Sequence, residues 1–259
     1  MDISKTWEDL NFNQMSSSLC IDFGNTRKKC AVFENKKISE IVDLDDNHEI
    51  IKRLISDYRI QKSILSSVID HDVELENLLK ANTRFHKLSH LSKLPFTTPV
   101  GKPGTIGADR LALAAAAVFF YGEKSSLVIA LGSCITVNFI TKSKEFIGGS
   151  ISPGMEMRFS ALHTFTAKLP NVVPDWNFPL VGYDTRTNIL SGVILGMSKE
   201  IDGIIELYKE RYSNFNVLLT GGDSPYFARH LKSQIFADPE LIFKGLYAIS
   251  EFNDDDAKM

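Results

Sequence analysis

The sequence predicts an α/β protein built as two structurally similar halves, and three observations carry that expectation. Apolar runs separated by turns follow the order β-β-β-α-β-α-β from Ser18 to Leu91. Hairpin strands that give way to βαβ crossovers form a restricted topology. A similar order recurs from Leu127 onward, where three short strands precede long helical stretches. The chain of 259 residues is also 44% hydrophobic and 24% charged, the balance of a globular protein with enough apolar material for a core. The halves are expected over 18–106 and 107–259, behind an N-terminal extension over 1–17 that is acidic, amide-rich and without a period.

Taken in order, Ser18–Phe23 and Lys29–Glu34 read as a hairpin, and Ile38–Leu44 as a third strand after the turn Glu34–Lys37. Ile50, Ile51, Leu54 and Ile55 fall at helical spacing, so 47–58 is a helix with Asn47 as its cap. Ser63–Val68 is a short buried strand ending in small polar residues. His71–Ala81 is an amphipathic helix through Val73, Leu75, Leu78 and Leu79, and Phe85–Leu91 an edge strand. An Ala-rich helix covers Leu111–Tyr121. Leu127–Leu131, Thr136–Thr141 and Glu145–Ser150 are strands, and Ser152–His163 and Thr185–Tyr212 helices. Ile189, Val193, Ile194, Leu195 and Met197 lie on more than one face of the latter, which marks it for a core or an interface. Val217–Thr220 is a buried strand, Ser224–Leu231 a helix, and 236–252 a short strand with a helix.

A formal net charge of -3 and a pI near 6.1 argue against a nucleic-acid-binding surface. No apolar run reaches the length of a bilayer span, and Met1–Ser18 has neither the basic nor the apolar region of a secretory signal. A cytoplasmic protein is expected. Cys20, Cys30 and Cys134 show no metal spacing and sit in apolar runs, so they read as small buried hydrophobes. His86, His90 and His163 read as structural or surface residues.

The first hairpin carries chemistry at its tip. Asp22 ends one apolar run, and Phe23-Gly24-Asn25-Thr26-Arg27-Lys28-Lys29 leads into the next. Gly24 admits a close anion, Asn25 and Thr26 bring donors, and Arg27, Lys28 and Lys29 bring positive charge. Asp22 is placed to hold Mg²⁺ beside phosphates; the same residues also suit a plain hairpin turn. Asp109 opens the Ala-rich helix beside Arg110, either as a proton acceptor or as a cap with a surface partner. Gly221-Gly222-Asp223 follows a buried strand and opens a helix, which suits nucleotide approach and equally a tight strand-to-helix turn.

Six motifs in order resemble a known family. They are Asp22-Phe23-Gly24-Asn25-Thr26, Gly107-Ala108-Asp109-Arg110, Gly148-Gly149-Ser150-Ile151-Ser152-Pro153-Gly154, Thr166-Ala167-Lys168-Leu169-Pro170, Ser191-Gly192-Val193 and Thr220-Gly221-Gly222-Asp223. The chain resembles the type III pantothenate kinases, related to the Bvg accessory factor, from about Ser18 to Phe252. The resemblance implies two ribonuclease-H-like halves of the acetate and sugar kinase, Hsc70 and actin superfold. It implies a homodimer, ATP and Mg²⁺, and a monovalent cation such as K⁺ or NH₄⁺. The implied reaction is phosphorylation of pantothenate to 4'-phosphopantothenate, the first step of coenzyme A synthesis. By the same resemblance Asp109 is the proton acceptor, and Gly107, Ala108, Asp109, Arg110 and Thr185 contact pantothenate. Asp22–Lys29, Ser133 and Gly221–Asp223 are the ATP-binding set, and Gly148, Gly149, Pro153 and Gly154 shape the cleft wall.

Two positions depart from the family pattern. Its second phosphate motif, Asp-x-Gly-Thr-Ala, reads here as Ala130-Leu131-Gly132-Ser133-Cys134. Ser133 keeps a hydroxyl, but the carboxylate that ligates the monovalent cation has become Ala130, and a methyl group binds no cation. That cation site is expected to be lost. A substrate-contacting tyrosine of the family aligns with Val100. These losses also fit a catalytically weak nucleotide-binding paralogue, and the superfold by itself also admits a sugar or acetate kinase.

Overall fold

The computed structural model describes residues 17–45 and 47–254, with the side chain of residue 254 left aside. The extension expected over 1–17 therefore lies outside the described residues except for Ser17.

The first sheet contains β1 (Ser18–Phe23), β2 (Lys28–Glu34), β3 (Lys37–Asp43), β4 (Lys62–Ser67) and β5 (Arg84–Lys87), in the order β3-β2-β1-β4-β5. β1 pairs antiparallel with β2 and parallel with β4, and β4 pairs parallel with β5. The crossovers carry α1 (Glu49–Asp57) and α2 (Val73–Asn82). This is the predicted β-β-β-α-β-α-β order. β1 alternates, so its side chains divide between two faces. Leu19, Ile21 and Phe23 are buried in one cluster with Ile51 and Leu54 of α1 and Leu75 and Leu79 of α2. Cys20 and Asp22 face the other way.

That second face is covered by α8 (Leu241–Asp254), which packs on β1, β4 and α3 (Ala108–Tyr121). Tyr247 stacks on Phe33 at 4.3 Å between ring centroids. Lys62 and Glu251, both buried, pair at 2.8 Å. α3 and α8 approach so closely that a Cβ on Gly245 would stand 2.0 Å from the Ala112 carbonyl oxygen. The alanines of α3 answer that demand, for their small side chains let two helix backbones meet.

The second sheet contains β6 (Ser125–Leu131), β7 (Cys134–Ile140), β8 (Phe146–Pro153), β9 (Phe215–Thr220) and β10 (Phe236–Ala237), ordered β10-β9-β6-β7-β8. Its helices are α4 (Met155–Thr164), α5 (Thr185–Leu190), α6 (Gly196–Arg211) and α7 (Ser224–Phe227).

The chain forms two compact units, each discontinuous in sequence. One runs through Ser126, takes in Asn138–Gly148 and resumes at Glu240; the other is Leu127–Val137 with Gly149–Pro239.

Several expected boundaries move for local reasons. The helix expected from Ser152 begins at Met155, because β8 runs on to Pro153 and Gly154 holds its amide on the Ser133 carbonyl at 3.0 Å. The helix expected over Ser224–Leu231 closes at Phe227. There the buried Asp202 carboxylate accepts the Lys232 and Ser233 amides, drawing the chain away. The helical stretch from Thr185 to Tyr212 is interrupted by a π turn at Ser191–Leu195. Ile189, Val193, Ile194 and Met197 of that stretch are buried within the chain itself. Their apolar character thus needs no second copy to explain it. Asn47 accepts the Glu49 amide at 3.2 Å, although His48 occupies the cap position. Cys20 and Cys30 are buried and Cys134 half-buried, all as free thiols. His86 bonds to Ser92 and His163 to the Leu169 carbonyl.

Candidate active site

The residues singled out in the sequence fall into two groups, one in each compact unit. In the first unit, β1 delivers Asp22 to the sheet's end, level with Ser66 of β4. Ser66 Oγ donates to Asp22 Oδ1 at 3.0 Å. The turn that follows closes through the Gly24 amide on the Arg27 carbonyl at 3.0 Å, leaving Asn25, Thr26 and Arg27 exposed. Phe23 turns its ring into the α1–α2 core, with Lys28 Nζ 5.4 Å from the ring centroid. Lys29 pairs with Asp43 across β2 and β3 at 3.4 Å.

Gly107 caps α3, so the cap position does not belong to Asp109. Asp109 sits in the first turn with its carboxylate folded back, so that a Cβ on Gly107 would lie 2.4 Å from Oδ1. The amides of Asp109 and Arg110 donate to that carboxylate. Ala108 is buried beside it. Arg110 donates from Nε to Asn138 Oδ1 at 2.6 Å and lies 5.5 Å from the Phe146 ring centroid. Val100 is half-buried, and a Cβ on Gly148 would come 3.9 Å from its Cγ2.

Both carboxylates are displaced upward in pKa. Burial is the main cause at Asp22, offset by the Ser66 hydroxyl and reinforced by the charge of Asp109, and the result is about 6. Burial likewise raises Asp109, against the pull of its backbone amides and of Arg110. A carboxyl whose pKa rises on folding favours the folded state while protonated and penalises it once ionised. Asp22 therefore costs nothing below its ordinary value of 3.8 and its full penalty above about 6. Asp22→Asn is accordingly expected to be more stable than the parent at pH 8 by about 1–3 kcal/mol. The gap should close as the pH falls toward 4 in urea denaturation. A variant no more stable than the parent at pH 8 would contradict this.

Two desolvated carboxylates whose charges repel are hard oxygen donors of the kind Mg²⁺ accepts, and a divalent cation would relieve the excess charge. Asp22, fixed by Ser66 and under the charge of Asp109, thus fits a metal.

In the second unit, Ala130 is half-buried on β6 and Ser133 lies in the turn to β7. The Gly221 turn presses against this region. Gly221 has φ +93°, and a Cβ there would stand 2.3 Å from the Leu131 carbonyl oxygen, so only glycine suits both the conformation and the contact. The Asp223 amide donates to the same oxygen at 3.1 Å. Ser133 is thereby brought into one neighbourhood with Gly221, Gly222 and Asp223. A Cβ on Gly154 would lie 2.0 Å from the Gly132 carbonyl oxygen, locking the end of β8 to the same turn. Thr185 is exposed and opens α5, whose cap is Asp184 in a capping box with Thr187.

Sequence reasoning singled out neither Ser66 nor Asn138 as a partner of the acidic residues and Arg110. Both left a trace: Ser66 ends an apolar strand with a small hydroxyl, and Asn138 is a fully buried amide inside Ile135–Ile140.

The family profile described as Type III pantothenate kinase matches residues 18–207. The chain belongs to the type III pantothenate kinase family. A relative named Type III pantothenate kinase from Christiangramia forsetii is 42% identical over 241 residues, covering 91% of this chain and 98% of its own. One of the same name from Phocaeicola vulgatus is 39% identical, covering 92% and 99%. Among solved structures, a Baf family protein from Campylobacter jejuni superposes with a TM-score of 0.56 at 24% identity, covering 92% of this chain and 99% of that one. A glucokinase from an Antarctic psychrotroph gives 0.51 at 10% identity, covering 92% and 100%. These structures place the kinase family member in the acetate and sugar kinase, Hsc70 and actin superfold, as the six motifs implied.

Proposed function

We infer that this chain transfers the γ-phosphoryl group of ATP to the hydroxyl of pantothenate, giving 4'-phosphopantothenate and ADP in the first step of coenzyme A synthesis. The observation that carries this reading is the family match together with a half-buried Asp109 at the start of α3, its pKa raised by desolvation. In the transfer the substrate O–H bond breaks, its oxygen bonds to the γ-phosphorus, and the bond from phosphorus to the ADP oxygen breaks. Asp109 takes the hydroxyl proton, and burial makes it a better acceptor than an exposed aspartate. Gly107, Ala108, Arg110, Val100 and Thr185 complete the substrate set of this reading, with Arg110 aimed by Asn138. The turn 24–27 with Lys28 and Lys29 cradles phosphates, and Ser133 with Gly221–Asp223 takes the nucleotide. When bound at Asp22, Mg²⁺ supplies neutralisation of phosphate charge.

The weak-paralogue alternative gains nothing from the structure, since Asp22, Asp109 and Arg110 all keep oriented partners. Formation of phosphopantothenate from ATP, Mg²⁺ and pantothenate is the direct test, and its absence while nucleotide still binds would refute the kinase reading. Running the assay in K⁺, in NH₄⁺ and in a bulky organic cation reads the consequence of Ala130. Equal rates in all three mean that the monovalent site has been dispensed with.

The division into halves over 18–106 and 107–259 belongs to this reading; one five-stranded sheet lies in each, although α3 and α8 belong to the first compact unit. A cytoplasmic location and the absence of nucleic-acid or membrane partners belong to it as well. The net charge of -3 supports that, and among the described residues no helix is long and apolar enough to cross a membrane. The homodimer is supported by exposed apolar residues between α4 and α5. Phe165, Val173, Leu180, Val181 and Tyr183 are each at least 78% exposed, an unusual density for surface that stays wet. Sedimentation velocity at micromolar protein is expected to show a dimer; a lone 29.0 kDa species would refute it.

A further inference from the structure

His71 lies outside every motif above, yet it meets the strand ends that carry Asp22 from the opposite side of the sheet. β1 and β4 run parallel with Asp22 level with Ser66 and Phe23 level with Ser67. On one face Ser66 Oγ holds Asp22. On the other, the His71 ring meets Phe23 edge-on at 5.8 Å between centroids, and its Nδ1 is hydrogen-bonded to Ser67 Oγ at 3.0 Å. Ser67 Oγ also donates to the Ile69 carbonyl at 2.9 Å, so this hydroxyl fixes the exit of β4. The far nitrogen, Nε2, faces Glu76 Oε1 at 3.0 Å, and Glu76 is clasped by Lys80 at 3.1 Å and Lys87 at 2.7 Å. The His71 side chain is 6% exposed. A ring so placed, gripped at both nitrogens and packed on an aromatic edge, has little freedom to turn.

We propose that His71 is a positioning residue for phosphoryl transfer: through Ser67 and Phe23 it fixes the paired ends of β4 and β1, and hence the direction in which Ser66 presents Asp22. The inference rests on the kinase reading for its consequence on rate, and on geometry alone for the ordering of the hairpin. His71 touches neither Asp22 nor Asp109 and takes no part in the chemistry.

Two conservative variants separate its two bonds. The amide nitrogen of Asn occupies the place of Nδ1 and keeps the bond to Ser67, while that of Gln occupies the place of Nε2 and keeps only the bond to Glu76. Parent, His71→Asn, His71→Gln and His71→Ala proteins are compared for kcat, for KM with pantothenate, and for deuterium uptake in the peptide covering 23–28. A misaligned reacting group costs turnover. His71→Gln and His71→Ala are thus expected to lose about 10- to 100-fold in kcat with KM for pantothenate little changed, and to exchange faster over 23–28. His71→Asn should stay near the parent in both readouts. Equal behaviour of the Asn and Gln variants, or parent-like exchange in both Gln and Ala, overturns the proposal. Should His71→Ala fail to fold, the contrast of Asn with Gln decides. If the parent makes no phosphopantothenate, the kinase reading has failed, and deuterium uptake still decides the role of His71.

Discussion

Asp109→Asn is expected to abolish nearly all phosphopantothenate formation, a fall of about 10²–10⁴-fold in kcat, while the protein remains folded. The substitution is close to isosteric, and its side-chain oxygen still accepts the amides of residues 109 and 110 that hold the carboxylate now. What disappears is the capacity to take the hydroxyl proton. The parent carboxylate is raised by burial, so an asparagine removes a desolvated charge and should leave thermal stability equal or slightly higher. This combination separates loss of chemistry from loss of fold. Turnover within a few fold of the parent would remove Asp109 from the mechanism and return it to a purely structural role at the helix start.

The largest expected effect on stability lies far from the chemistry, at Lys62 and Glu251. Their side chains are 7% and 5% exposed and meet at 2.8 Å, tying β4 to α8. Burying two charges is expensive and their attraction offsets much of it, so the pair as a whole adds little. Taking away one partner is another matter, because the survivor keeps its desolvation penalty with nothing opposite. Lys62→Met should therefore destabilise the protein by about 3–5 kcal/mol, read as a lower urea midpoint with an unchanged slope. Glu251 would then stand uncompensated near Cys20 and Tyr247, whose pKa values its charge already helps to raise. Adding Glu251→Leu should recover most of the loss, since an apolar pair fills the same space without the charges. A single mutant within about 1 kcal/mol of the parent would show that water reaches the pair.

The element order was legible because it rests on periodicity and turns. β1 announces itself by its apolar run and its acidic end, and α3 by alanines that the approach of Gly245 requires. Boundaries set by distant groups were not legible. Nothing local in Ser224–Leu231 reveals that Asp202, more than twenty residues earlier, will seize the amides of Lys232 and Ser233. Within the candidate site the sequence offers the carboxylates, since acidic residues at strand ends and helix starts stand out against apolar runs. Ser66 orients Asp22 and Asn138 orients Arg110, and both meet their partners only through sheet register and helix packing. The apolar faces of 185–212 show the opposite failure: periodicity tells that they are covered, and only the fold tells that the chain covers them itself.

The compact unit that carries Asp22 and Asp109 is assembled from three stretches, the last of them beginning at Glu240. During synthesis β1 is made early, but Phe33 has no Tyr247 to stack on and Lys62 has no Glu251 to answer its charge until α8 follows. Everything from Gly149 to Pro239 must be translated in the meantime. The compact unit that is begun first is thus the one finished last, and α8 is its closing piece.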